Sequence, residues 1–184
     1  MSKRDNLIEL VVLGVAVVAF LALALYQVEL PGLEYDEAIV AVPAMQMLRG
    51  QPLDLNETLV LHVGPLALPL MLLDRTGAVG SYLLLPFFAV LGVNVEAIRL
   101  LPVLGGALTV VLTFLVAKRL FDGRAAAMAA LLLAVHPAFV FYTRQGLHVN
   151  SLTAVAAMGS LLSLLAWRST GKAWQLWLGM FLLG

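Results

Sequence analysis

Residues 7–26 are an almost uninterrupted apolar run, with Glu9 near its start as the one charge. About 20 apolar residues in helical form match the hydrocarbon thickness of a bilayer, so the chain is committed to a membrane. A cleaved signal peptide has a shorter apolar region, about 7–15 residues, followed by a small-residue cleavage site. Here Tyr26-Gln27-Val28-Glu29 comes next, and the segment reads as an uncleaved signal anchor. The whole chain agrees: it is 62% hydrophobic and 12% charged, where soluble domains have roughly 45–50% and about 25%.

Three further runs, residues 98–117, 125–142 and 149–167, are long and apolar enough to cross, and another begins at 174 and continues to 184. The expected fold class is therefore all-α, a polytopic membrane helical bundle, with residues 1–184 as one transmembrane domain. Because the sequence stops inside an apolar run, it is expected to be truncated at its C-terminus. The small-residue clusters Gly105-Gly106-Ala107 and residues 125–130 allow helices to approach closely.

Residues 27–97 are different in kind. Pro31-Gly32 breaks the first helix, and the stretch beyond it mixes acids, prolines and short apolar runs. Within it, residues 36–49 have apolar positions at helical spacing, acids at the start, Arg49-Gly50 at the end and Pro43 as an internal kink. An amphipathic helix lying on the membrane is expected there. Residues 59–73 are interrupted by His62, Gly64-Pro65 and Pro69, and residues 81–91 are too short to cross, so both are expected at the interface.

With the N-terminus placed inside, seven of the eleven Lys and Arg residues fall inside, and Arg49, Arg75, Arg99 and Arg144 outside. This is the bias of the positive-inside rule. Eight of the eleven acids, including Asp36 and Glu37, fall outside, so residues 27–97 are an acidic non-cytoplasmic loop. The expected location is a prokaryotic plasma membrane, with a cytoplasmic N-terminus. A net charge of +0 gives no basic stripe for nucleic acid. The lack of cysteine excludes thiolate catalysis and cysteine metal sites.

The adjacent carboxylates Asp36 and Glu37 open the surface helix. One can cap backbone N–H groups while the other faces a cavity, where a partly shielded carboxylate holds its proton longer and acts as a general base toward an acceptor hydroxyl. Capping alone also accounts for acids at a helix start. At the outer end of the third full span stand Tyr142-Thr143-Arg144-Gln145. The guanidinium of Arg144 pairs geometrically with phosphate oxygens, and an interfacial arginine beside an aromatic belt explains it equally well. His62, His136 and His148 lack metal-ligand spacing. His62 is a candidate for a site in the acidic loop, and His136-Pro137 reads as a packed polar group at a kink. Asn56-Glu57-Thr58 matches a glycosylation sequon.

Tyr35-Asp36-Glu37-Ala38 opening a helix that ends Leu48-Arg49-Gly50 resembles the first outer loop of the GT-C-fold glycosyltransferases of the family 39 type. Gly77-Ala78-Val79-Gly80-Ser81-Tyr82-Leu83, Pro86-Phe87-Phe88, Leu91-Gly92-Val93, Arg99-Leu100-Leu101-Pro102, Lys118-Arg119-Leu120-Phe121 and Tyr142-Thr143-Arg144-Gln145 come after it in that family's order. The family includes protein O-mannosyltransferases and lipid A aminoarabinose transferases. The resemblance covers about residues 33–167. It differs where many members carry His-Pro-Pro and this chain has Gly80-Ser81-Tyr82, and where an acid often comes after the Arg-Gln turn and this chain has His148-Val149-Asn150.

The resemblance implies a sugar transferred from a polyprenyl-phosphate donor to a lipid, glycan or protein acceptor on the non-cytoplasmic face. It makes Asp36 the catalytic acid with Glu37 in support, and puts Arg144 near the donor phosphate; Gln145, Tyr82 and His62 are further substrate-binding candidates. No cofactor is firmly implied; the chemistry tolerates a divalent metal without calling for one. Members have more spans, so this segment is expected to be an N-terminal portion, inactive if it stands alone. The alternatives are a transporter subunit and a non-enzymatic membrane scaffold. A transporter places ionisable groups near the midplane, whereas the span centres here contain no Asp, Glu or Lys.

Overall fold

The computed structural model describes residues 3–30, 32–53, 59–64, 66–72, 76–145 and 148–184; the sequon and the acids Asp54, Glu57 and Asp74 lie outside them. The chain is mostly helical: α1 is Lys3–Leu25, α2 Tyr35–Leu48, α3 Val79–Leu91, α4 Val95–Leu120, α5 Gly123–Ala134, α6 Pro137–Arg144, α7 His148–Thr170 and α8 Ala173–Leu183. A small sheet lies between α2 and α3 in the chain, formed by β1 Leu59–Val63, β2 Leu66–Leu72 and β3 Thr76–Gly77. The residues form two compact units. One holds Met1–Tyr26, Val103–Arg144 and Val149–Gly184, and the other Gln27–Pro102 with Gln145–His148.

In the first unit, α1, α4 and α7 are each long and apolar enough to cross a membrane. The third expected span, residues 125–142, is not one helix. It is α5 and α6, bent by 55°. Pro137 is the cause: it has no N–H to continue the ladder, and it restrains the residue before it from helical geometry. His136 closes the break, its Nδ1 accepting the Phe139 N–H at 3.4 Å.

Small residues set the packing of this unit. Ala126, Ala130 and Ala134 recur every four residues down one face of α5, all fully buried in a cluster with Ala16, Phe20 and Ala24 of α1. The expected close approach at Gly105-Gly106 is present. A Cβ on Gly106 would stand 2.5 Å from Phe20 Cζ and 2.7 Å from Thr143 Cγ2, and one on Gly105 3.2 Å from Ser151 Cβ. Phe20 stacks obliquely on Phe139 at 5.3 Å between centroids. Lys118 Nζ near the end of α4 meets Glu9 Oε2 near the start of α1 at 2.6 Å, so the two helices run antiparallel. At the opposite end, Arg144 Nη2 donates to the Tyr26 carbonyl at 2.6 Å.

In the second unit, α2 packs on α3 through Val40, Ala41 and Ala44 against Leu84 and Phe88. The apolar positions read from the sequence lie mostly off this buried face: Ile39, Val42 and Met45 are half-buried and Leu48 is exposed. Pro43 is buried inside α2, and in the turn it interrupts, the Val40 carbonyl accepts the Ser81 hydroxyl at 2.8 Å. Within residues 59–73, read as an apolar interfacial stretch, Leu59–Val63 and Leu66–Leu72 are an antiparallel pair of strands with Leu61 opposite Leu68 and His62 opposite Ala67. The turn between them begins at Gly64, whose φ of +61° favours glycine. Pro69 cannot donate to the ladder of this central strand, and the register slips next to its partner, between Leu59 and Val60.

Candidate active site

The start of α2 is held by a buried polar knot. Glu34 is the N-cap, so Tyr35, Asp36 and Glu37 are the first three helical residues. At the third position a glutamate reaches back to the N-cap backbone, the reverse arm of a capping box. Glu37 Oε2 accepts the Glu34 N–H at 2.9 Å. The same carboxylate receives Arg99 side-on, Nε to Oε1 at 2.8 Å and Nη2 to Oε2 at 3.0 Å. Arg99 also donates from Nη1 to the Val28 carbonyl at 2.6 Å and from Nη2 to the Gly32 carbonyl at 2.9 Å.

Both side chains are essentially inaccessible, 1% for Arg99 and 0% for Glu37. An ion pair at that depth survives because nearly all its donors and acceptors are matched, which offsets the desolvation of the two charges. Arg99 comes from the first turns of α4, which starts at Val95 instead of the expected residue 98. The reason is Asn94, whose Oδ1 caps the Ala97 N–H at 2.7 Å.

The two adjacent carboxylates therefore have separate fates. Glu37 is buried and fully engaged, and Asp36 is exposed in the first helical turn. The shielding read from the sequence for this pair falls on Glu37. Asp36 stays at the surface, where the helix N-terminus favours its negative charge.

Tyr82, on α3, donates its hydroxyl to the Pro69 carbonyl at 2.8 Å, tying helix to sheet. Burial pushes its pKa up, so the phenol is a neutral donor. His62 is exposed on β1, and Gln145 is half-buried in the turn after α6. Arg144, in the last turn of α6, is half-buried and bonded to Tyr26. Beside α6 is a cleft of about 270 Å³ lined by His136, Phe139, Tyr142, Thr143, Asn150 and Ser151. Among the described residues, no three His, Asp or Glu side chains converge as metal ligands.

Arg99 is the residue that sequence reasoning missed. It was legible only as one more outer cation, because its partner lies 62 residues away. The spacing Glu34-x-x-Glu37 did carry a signal for which carboxylate turns inward.

A family model described as dolichyl-phosphate-mannose-protein mannosyltransferase matches residues 75–184. No curated protein and no solved structure matches the chain.

Proposed function

Since the chain belongs to the dolichyl-phosphate-mannose-protein mannosyltransferase family, whose members are membrane glycosyltransferases of the GT-C type, we propose that it transfers a hexosyl or pentosyl group from a polyprenyl-phosphate sugar to a lipid, glycan or protein acceptor. The observation that supports this is the division of labour at the start of α2. Glu37 is consumed by Arg99 and a backbone N–H, and Asp36 is left presented to solvent on a helix turn fixed by that knot.

The reaction is a direct displacement. The acceptor oxygen attacks the anomeric carbon, its proton passes to the Asp36 carboxylate, and the bond from the anomeric carbon to the phosphate oxygen breaks, inverting the centre. The polyprenyl phosphate leaves with the bonding electrons. A guanidinium suits the charge that develops there, and Arg144 is the residue we assign to it. Gln145, Tyr82 and His62 are candidates for sugar or acceptor contacts. The cation-rich end of the bundle, with Lys118, Arg119, Arg124 and Arg168, faces the cytoplasm by the positive-inside rule. Residues 27–97 then face the other side of the plasma membrane.

The test is Asp36→Asn in the full chain, assayed for sugar transfer from polyprenyl-phosphate donors. General-base catalysis contributes roughly 10²–10⁴-fold, so turnover should fall by about that factor while thermal unfolding stays as in the wild type. Unchanged turnover would overturn the assignment.

A further inference from the structure

We propose that the cleft between the C-terminal ends of α4 and α7 binds the phosphodiester headgroup of an anionic phospholipid. The cleft has a volume of about 480 Å³ and is lined by Arg119 and Leu120 of α4 and by Leu165, Arg168 and Ser169 of α7. Two arginines from separate helices thus line one concavity.

Among the described residues neither the Arg119 nor the Arg168 side chain has an ion pair or hydrogen bond, whereas the neighbouring Lys118 is paired with Glu9. Helix C-termini carry unsatisfied carbonyls and partial negative charge. One arginine at each end complements its own helix. Two on a shared cleft give it a cationic surface that still attracts an anion, and planar guanidiniums match the oxygens of a phosphodiester.

Two observations favour a lipid over a free phosphate. Leu120 and Leu165 give the cleft an aliphatic wall of the kind that meets glycerol and the start of acyl chains. Trp167, directly before Arg168, is 39% exposed, and Trp174 in the next helix is 60% exposed; indoles of this kind concentrate at headgroup depth. Basic pockets between helices at that depth are the usual sites for anionic headgroups.

The probe is phosphatidylglycerol with brominated acyl chains, titrated into the full chain in phosphatidylcholine nanodiscs, with quenching of Trp167 read after Trp174→Phe and Trp177→Phe. Brominated phosphatidylcholine is the reference. Half-quenching should need about thirtyfold less phosphatidylglycerol, the factor expected from two arginines at about 1 kcal/mol each near a lipid surface. In Arg119→Gln/Arg168→Gln the preference should vanish, and in Arg119→Lys/Arg168→Lys it should persist in part. Arg124→Gln, which removes a cation at the same end but outside the cleft, should leave it intact. A preference that survives the double glutamine variant, or is absent from the wild type, overturns the proposal. Release of the quenching by millimolar inorganic phosphate would also overturn it, assigning the cleft to free phosphate. A melting curve on each variant separates lost binding from lost folding.

Discussion

Glu37–Arg99 and Glu9–Lys118 are ion pairs of nearly equal length, 2.8 and 2.6 Å, one in each unit of the chain. Their surroundings differ. The first is sealed, and its guanidinium holds two backbone carbonyls as well as the carboxylate. The second leaves Lys118 a third exposed, at 33%, with its ammonium also 5.6 Å from the centre of the Phe114 ring. The sealed pair acts through what it organises: the exit of the chain from α1, the entry into α2 and the first turns of α4 all meet on one guanidinium. The open pair joins two helices already held by their apolar faces, and contributes little beyond that.

The comparison is most exposed to a change at Arg99. Arg99→Ala leaves the Glu37 carboxylate buried and without its cation, a situation that costs about 3–5 kcal/mol. Unfolding in detergent should shift by that amount and sugar transfer should be lost with it. A melting profile matching the wild type would mean the knot is ornamental.

Gly123→Ala probes the open pair from outside it. An added Cβ would collide with the Glu9 carboxylate, which must then leave Lys118. The expected loss is about 1 kcal/mol, the scale of a partly exposed pair. If the effect runs through the pair, Lys118→Ala adds almost nothing in the double variant; additive losses would break the link.

An effect of similar size is expected at Tyr82. Tyr82→Phe removes one hydroxyl bond to Pro69, about 1 kcal/mol. Because burial raises the phenol's pKa above its ordinary 10.0, the fold prefers the neutral form. That stability is complete below the unfolded value and is lost as pH rises through the higher folded one. Denaturant titrations at rising alkaline pH should show this decline in the wild type and a shallower one in the phenylalanine variant. Parallel declines would remove Tyr82 from the account.

The helical bundle could be read from the sequence because its signals are local. Apolar runs of membrane length gave α1, α4 and α7, and the alanines and glycines marked the faces that touch. The break at Pro137 was visible as a kink, but its 55° depended on how α5 and α6 each found partners. The sheet was hidden because an apolar segment with two prolines has no clear period, and register is fixed by pairing partners. At the candidate site, the Asp36-Glu37 dipeptide stood out, while the residue that separates their roles, Arg99, declares itself only through a contact made in three dimensions.

The bend between α5 and α6 has a consequence for how the joint is sheltered. Twelve and eight residues are each too short to span a bilayer, and the two are long and apolar enough to cross only when taken together. Lipid offers no hydrogen-bond partner to backbone opened at such a joint, so a break there calls for a protein neighbour. Ala16, Phe20 and Ala24 of α1 pack on the small-residue face of α5, which makes the first helix a shield for the break as well as a candidate span in its own right.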